Sequence, residues 1–372
     1  MTLPAFFAAA AICAFTLLAC EEQQVSRSEQ DQVSTPSRVR PPETQATPQS
    51  NPSADTLPDA ELDVGAVCAR AAKTATPSRD MPSRAELVGL AGCDSEALYY
   101  GINSAPDLIR ARHCAFAESE RGKHPVMGGP GILMMIYANG LGVQRNGDLA
   151  LRFACEFGGA EAELGMRVSR IVRADHGTSL QPPLDICDDI TSGYMMGFCA
   201  GHRERMDAIV RNKRRRAATA EFPSIELDRA TRAANAFFDL RARNEVDLSG
   251  TGRAMFQVEE KARLEDGLVG MFDKLRDPAF VASSDDLPSL ESEMTSLLAR
   301  IARCDAVFRS ERELPGAISR RGVRTTQIAW VRYRTAFSTL ALKVRPKTTR
   351  DIWESWLSQQ RLLQLRELAR GC

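Results

Sequence analysis

Histidine is scarce in this chain: four are scattered over 372 residues. No Cys-x-x-Cys pair occurs either. Together these absences give zinc little to bind and leave few groups titrating near neutral pH for general-base chemistry. No Ser/His/Asp set, no pair of catalytic carboxylates at a believable spacing and no phosphate loop is present. The sequence therefore points away from an enzyme, and it indicates no cofactor and no metal. Charge of one sign is also lacking, since Lys+Arg and Asp+Glu both number 48. The halves differ modestly: residues 1–183 carry net −5 and residues 184–372 net +5. Values that small leave no nucleic-acid footprint. The one dense basic stretch, Arg211, Lys213, Arg214, Arg215 and Arg216, reads as a solvated helix face or interhelical loop. Contact with anionic lipid or cell-wall polymer is its lesser alternative.

Long apolar runs are missing too. The longest uncharged one, Phe6 to Ala19, falls short of the roughly 20 residues that span a bilayer. Its length suits the apolar region of a secretory signal. It ends in Leu17-Leu18-Ala19-Cys20, which resembles the lipobox of bacterial lipoproteins. That resemblance implies cleavage before Cys20 and lipid on its thiol. Residues 1–19 are then a signal peptide, and the mature chain is lipid-anchored in the cell envelope, facing the periplasm. One departure is the absence of Lys or Arg from Met1-Thr2-Leu3-Pro4. Residues 20–60 are rich in Gln, Ser, Thr, Pro and Glu without an aromatic, and such a composition reads as a disordered tether.

Ten cysteines remain to be explained. Cys13 leaves with the signal and Cys20 takes lipid. Cys68, Cys93, Cys114, Cys155, Cys187, Cys199, Cys304 and Cys372 are disulfide candidates in an exported chain. Eight cysteines allow 105 pairings, so the sequence alone does not fix them. Local geometry favours two bridges. Cys93 and Cys114 lie at matching distances from a turn near Asn103-Ser104, which leaves Cys68 and Cys155 to pair in the same module. Cys187 can reach Cys199 only if a helix starts after Thr191-Ser192-Gly193, because twelve helical residues rise about 18 Å.

Apolar spacing from Glu61 onward is helical, and no sustained alternation of period two appears, so the fold class is all-α. Ala66, Val67 and Ala71, then Leu87 and Leu90, suggest short helices. Ser95–Glu118 suggests a hairpin whose second helix starts at Pro106-Asp107. The stretch Gly131 to Ala162 follows. Its Tyr137, Gly140, Gly142, Val143, Ala150, Phe153, Ala154 and Gly158 resemble a Sel-one-like repeat, a relative of the tetratricopeptide repeat. The resemblance implies an antiparallel helix pair with Tyr137 facing the second helix, stacked on neighbours and capped by a helix at Ala160–Val172. Residues 61–180 are this repeat-type module.

Pro182-Pro183 marks a boundary. Beyond it, Cys187-Asp-Asp-Ile-Thr-Ser-Gly-Tyr-Met-Met-Gly-Phe-Cys199-Ala200, then Arg324, Gln327, Trp330 and Arg334, then Trp356 to Leu368, resemble the LprI-type lysozyme-inhibitor family. The resemblance covers roughly 184–370. It departs after Arg334, where Thr335, Phe337 and Ser338 replace an acid and a cysteine, and near Trp356, where a second cysteine is missing. It implies that Cys304 and Cys372 replace that lost clamp. It also implies lysozyme inhibition, which a net-basic domain could achieve against a cationic lysozyme only through a local acidic or apolar surface. Asp239, Glu245 and Asp247 are the candidate acids for partner binding. Asp185, Asp188 and Asp189 read as helix N-terminal residues.

The resulting expectation is a set of short repeat-type hairpins followed by a bundle of longer helices in 184–372. Those helices fall near Ser224–Glu245, Thr251–Leu275, Leu287–Glu311, Gly316–Val344 and Arg350–Ala369. The expected function is that of an envelope binding protein with a protein partner, a lysozyme inhibitor in one version. The alternative is a structural adaptor that assembles envelope proteins through its repeats.

Overall fold

The computed structural model describes residues 62–122, 126, 128–175, 180, 182–282, 286–305, 307–308, 314–370 and 372. The expected signal, Cys20 and tether lie outside these residues. Among the described residues there are thirteen α-helices and no strand. The protein is all-α.

The first seven helices are short: α1 Val64–Ala71, α2 Arg84–Gly89, α3 Ser95–Tyr100, α4 Leu108–Glu120, α5 Pro130–Asn139, α6 Gly147–Phe157 and α7 Glu161–Asp175. Their ends follow from the local sequence. Asp107 accepts from the Arg110 N–H and Asn146 from that of Leu149, each capping its helix. Gly140 closes α5 at φ +68°, a left-handed shape glycine adopts without strain. Helix α5 is buried along almost its whole length, so it sits in the middle of the stack. Tyr137 stacks on Phe153 of α6 at 5.8 Å, and Ala150 and Ala154 are fully buried where α5 and α6 meet.

The second set is longer: α8 Gly193–Ala218, α9 Ser224–Asn244, α10 Arg253–Arg276, α11 Leu287–Ala302, α12 Arg320–Val344 and α13 Arg350–Leu368. Four of the five expected long helices match within a few residues; α11 stops at Ala302, short of the expected Glu311. Their shared core is aromatic: Phe237 stacks on Tyr333, Phe272 on Phe337, and Trp353 meets Trp356 edge-on.

Helix α8 was not among the expected long helices. Its first two turns carry Met195 and Cys199 into the core of the short helices, together with Leu184 and Ile186. Residues on both sides of Pro182-Pro183 therefore share one core. The helix then continues along α10. The start of α8 lies tight against the start of α10: a Cβ on Gly193 would clash with the Thr251 carbonyl just before α10, and one on Gly197 would meet the Ala254 Cβ at 2.5 Å. Ser192 caps α8 through the Met195 N–H, while Asp185, Asp188 and Asp189 do other work. Asp185 holds the Cys187 N–H, and Asp188 pairs with Arg170.

Four disulfides join Cys68 to Cys155, Cys93 to Cys114, Cys187 to Cys199 and Cys304 to Cys372, with Cα separations of 5.6, 6.0, 5.7 and 5.5 Å. No cysteine is left unpaired among the described residues. The Cys187–Cys199 bridge forms because α8 starts only at Gly193, which leaves Cys187 in the preceding loop.

Candidate functional site

Helix α10 touches α12 lightly and makes no extended contact with α13, although α12 packs on both α9 and α13. The gap is a cleft of about 340 Å³. Its origin can be traced to two stripes on α10. Leu264, Leu268, Phe272 and Leu275 recur at helical spacing and enter the core. One position before each of the first two sit Arg263 and Gly267, continued by Gly270 and Lys274 at the same period. This second stripe forms one wall of the cleft. Opposite lie Trp330 and Tyr333 of α12 and Trp356 of α13, with Gln360 and Gln364 along its edge.

The two glycines on this wall differ from Gly193 and Gly197 of α8. A Cβ built on Gly267 or Gly270 meets nothing within 4 Å. Glycine inside a helix is about 1 kcal/mol less favourable than alanine. Close packing therefore does not account for Gly267 or Gly270, whereas it does account for Gly193 and Gly197. What their missing side chains produce is open space.

Beneath the cleft lies a buried charge network. Arg361 is fully buried and donates twice to Glu245, at 2.6 and 2.7 Å. Its Nε donates to the Gln327 side-chain oxygen at 3.0 Å, and its plane lies over Phe237 at 5.4 Å. Arg241 also donates to Glu245, at 3.2 Å, and pairs with Glu260 at 2.8 Å. Burial pulls the Arg241 guanidinium below its ordinary range against the pull of Glu260 and Glu245. Burial likewise holds the Tyr333 hydroxyl well above the usual tyrosine value, and that hydroxyl donates to the Met271 sulfur at 3.3 Å.

This geometry relocates most of the sequence-derived site residues. Gln327, Trp330 and Arg334 do share one face of α12. Trp330 lines the cleft, and Gln327 positions Arg361. Arg334 lies over the Trp330 ring and pairs across helices with Glu291 at 2.8 Å and Glu354 at 3.5 Å. Arg324 is exposed. The three candidate acids are not assembled into one surface. Glu245 is buried against Arg361. Asp239 pairs with Lys261 at 2.7 Å, and the exposed Asp247 accepts from the Ser249 N–H. Sequence reasoning missed Gly267, Gly270, Lys274 and Arg361. The Arg263/Gly267/Gly270/Lys274 period was the available signal.

A second polar cluster ties α3 to α8. Glu96 accepts from His202 at 2.6 Å and from Arg205. The Tyr100 ring rests on His202 at 4.3 Å, and its hydroxyl donates to Asp185 at 2.6 Å. Burial, then the Asp185 carboxylate, push that hydroxyl far up. Burial would raise the Glu96 carboxyl, but hydrogen bonds from His202 and Arg205 overcome it and hold the group below its ordinary value. A carboxylate depressed in the folded state stabilises fully above its unfolded pKa, and that stabilisation is lost as pH falls through the folded value. Urea midpoints of the parent should therefore fall more steeply between about pH 5 and pH 3 than those of Glu96→Gln. Parallel profiles would show that Glu96 carries no such linkage.

No family model, no curated protein and no solved structure matches this chain.

Proposed function

We propose that the protein is a lipid-anchored binding protein of an oxidising cell-envelope compartment, without catalytic activity, and that its ligand site is the cleft between α10 and the α12/α13 pair. The observation that carries the reading is the pair Gly267 and Gly270. Two helix-weakening residues stand where nothing requires them sterically, on the wall of a cleft whose volume is within the range of small-molecule sites. Support for the compartment comes from the four disulfides, which form and persist where thiols are oxidised. Lysozyme inhibition, which the sequence resemblance implies, would need a surface other than Glu245.

Substitution at the glycines separates stability from binding. Gly267→Ala with Gly270→Ala should stabilise the fold by about 1–2 kcal/mol and raise Tm by roughly a few degrees. Gly270→Leu should fill the cleft. In native mass spectrometry, protein taken gently from the membrane fraction should carry a small bound mass that Gly270→Leu lacks. Absence of any bound mass in the parent, or equal loading of both proteins, would overturn the cleft as the site. Recovery of the parent from the soluble fraction alone would overturn the anchor.

A further inference from the structure

We infer that the cleft takes a small amphiphilic anion, with its negative group at Lys274 and its apolar body over Trp356 and Trp330. This rests on the cleft being the binding site, and it adds the ligand's chemistry. Three cations and no carboxylate line the cleft: Arg263, Lys274 and Arg361. Two of the three are already engaged. Arg263 donates to both oxygens of Glu260, at 2.9 and 2.8 Å, and Arg361 to both oxygens of Glu245. Lys274 has no carboxylate partner among the described residues. Its ammonium sits 5.6 Å from the centres of both the Phe280 and the Trp356 rings. An ammonium held at aromatic faces keeps its three donors, so it can receive an anion at the end of the cleft.

The rest of the lining is apolar or uncharged. The Trp330, Tyr333 and Trp356 rings form one wall, and the bare backbone at Gly267 and Gly270 forms the other. Such walls suit a narrow alkyl or aryl body lying along α10 away from Lys274. Size limits the ligand further. At ~30 Å³ per water-sized group, 340 Å³ holds roughly eleven groups. That is the size of a medium-chain fatty acid or a small aryl carboxylate, and it is too small to enclose a diacyl lipid.

The chain supplies its own reporter, because two of its three tryptophans, Trp330 and Trp356, line the cleft. Decanoate, decanol and decylamine, below their micelle-forming concentrations, are titrated into the full chain while tryptophan emission is followed. Decanoate should bind saturably, about tenfold more tightly than decanol, the value of an exposed charge-assisted contact of about 1.4 kcal/mol. Decylamine should bind more weakly than decanol. Lys274→Met keeps an apolar stem and should reduce decanoate to the decanol affinity, and Gly270→Leu should abolish both. If decanol matches decanoate, or Lys274→Met leaves decanoate binding unchanged, the anion is wrong while the cleft stands. If none of the three saturates, or Gly270→Leu binds as the parent does, the cleft falls with it.

Discussion

Glu245→Ala should destabilise the folded chain by about 3–5 kcal/mol, the usual effect of leaving a buried ion without its partner. Glu245 ends α9, and Arg361 lies far along the sequence on α13. Both side chains are all but fully buried, at 1% and 0% exposure. Removal of the carboxylate strands Arg361 with the neutral oxygens of Gln327 and Gln364. It also leaves Arg241 with Glu260 alone. Desolvation of two guanidiniums against one acid is the source of the loss. Arg361→Lys with Glu245 kept should also destabilise, because a lysine cannot reproduce the two parallel bonds to one carboxylate. The double variant Glu245→Leu/Arg361→Met should be much milder than either change alone, since replacing both ions by apolar groups removes the desolvation penalty too. Denaturant unfolding of the parent, Glu245→Leu, Arg361→Met and the double variant forms a double-mutant cycle that measures this directly. A single-variant loss below about 1 kcal/mol would show that water reaches the pair.

The same residue shows where sequence stops being informative. An acid near a helix end, followed by Asp247 and the Leu248-Ser249-Gly250 break, looks like ordinary helix-end solvation. Only Arg361, 116 residues away in sequence, makes Glu245 a core group. The Glu96–His202 contact is equally non-local, at 106 residues. Helices with strong apolar stripes were legible because the core selects a 3.6-residue period, as in α9, α12 and α13. Helix α8 was not, for two reasons. Its first three turns carry three glycines, two of which permit a close crossing with α10, and its tail is mostly charged, so no long apolar stripe marks it. The short-range disulfides were legible because a hairpin and a helix start fix their geometry locally. The cleft was only half visible. The Arg263/Gly267/Gly270/Lys274 period is written in the sequence, but whether a neighbour fills the space at a glycine depends on how distant helices pack.

Removal of the Cys68–Cys155 bridge should have a larger effect than removal of either short-range cross-link, with Cys68→Ala/Cys155→Ala less stable by about 2–4 kcal/mol. The reason lies in α1. It is eight residues long, too short to persist alone in water. Val67 and Ala71 bury its inner face, and the bridge ties it to α6. Closing 87 residues of chain removes more freedom from the unfolded state than closing 21 or 12, the separations of the Cys93–Cys114 and Cys187–Cys199 bridges. In the chain-entropy model those ratios are worth about 1–2 kcal/mol in favour of the longer loop. Hydrogen exchange should show α1 amides losing protection first, with the α12 and α13 amides following only at global unfolding. A larger loss on removing Cys187–Cys199 would mean that local strain or packing, not chain entropy, sets the order. The proposed compartment rests on the same physics. A fold that depends on these bridges for several kcal/mol, against a total of about 5–15 kcal/mol for an ordinary domain, needs an environment that keeps them oxidised. Equal stability of the fully reduced chain would remove that requirement, and with it the strongest physical support for an envelope location.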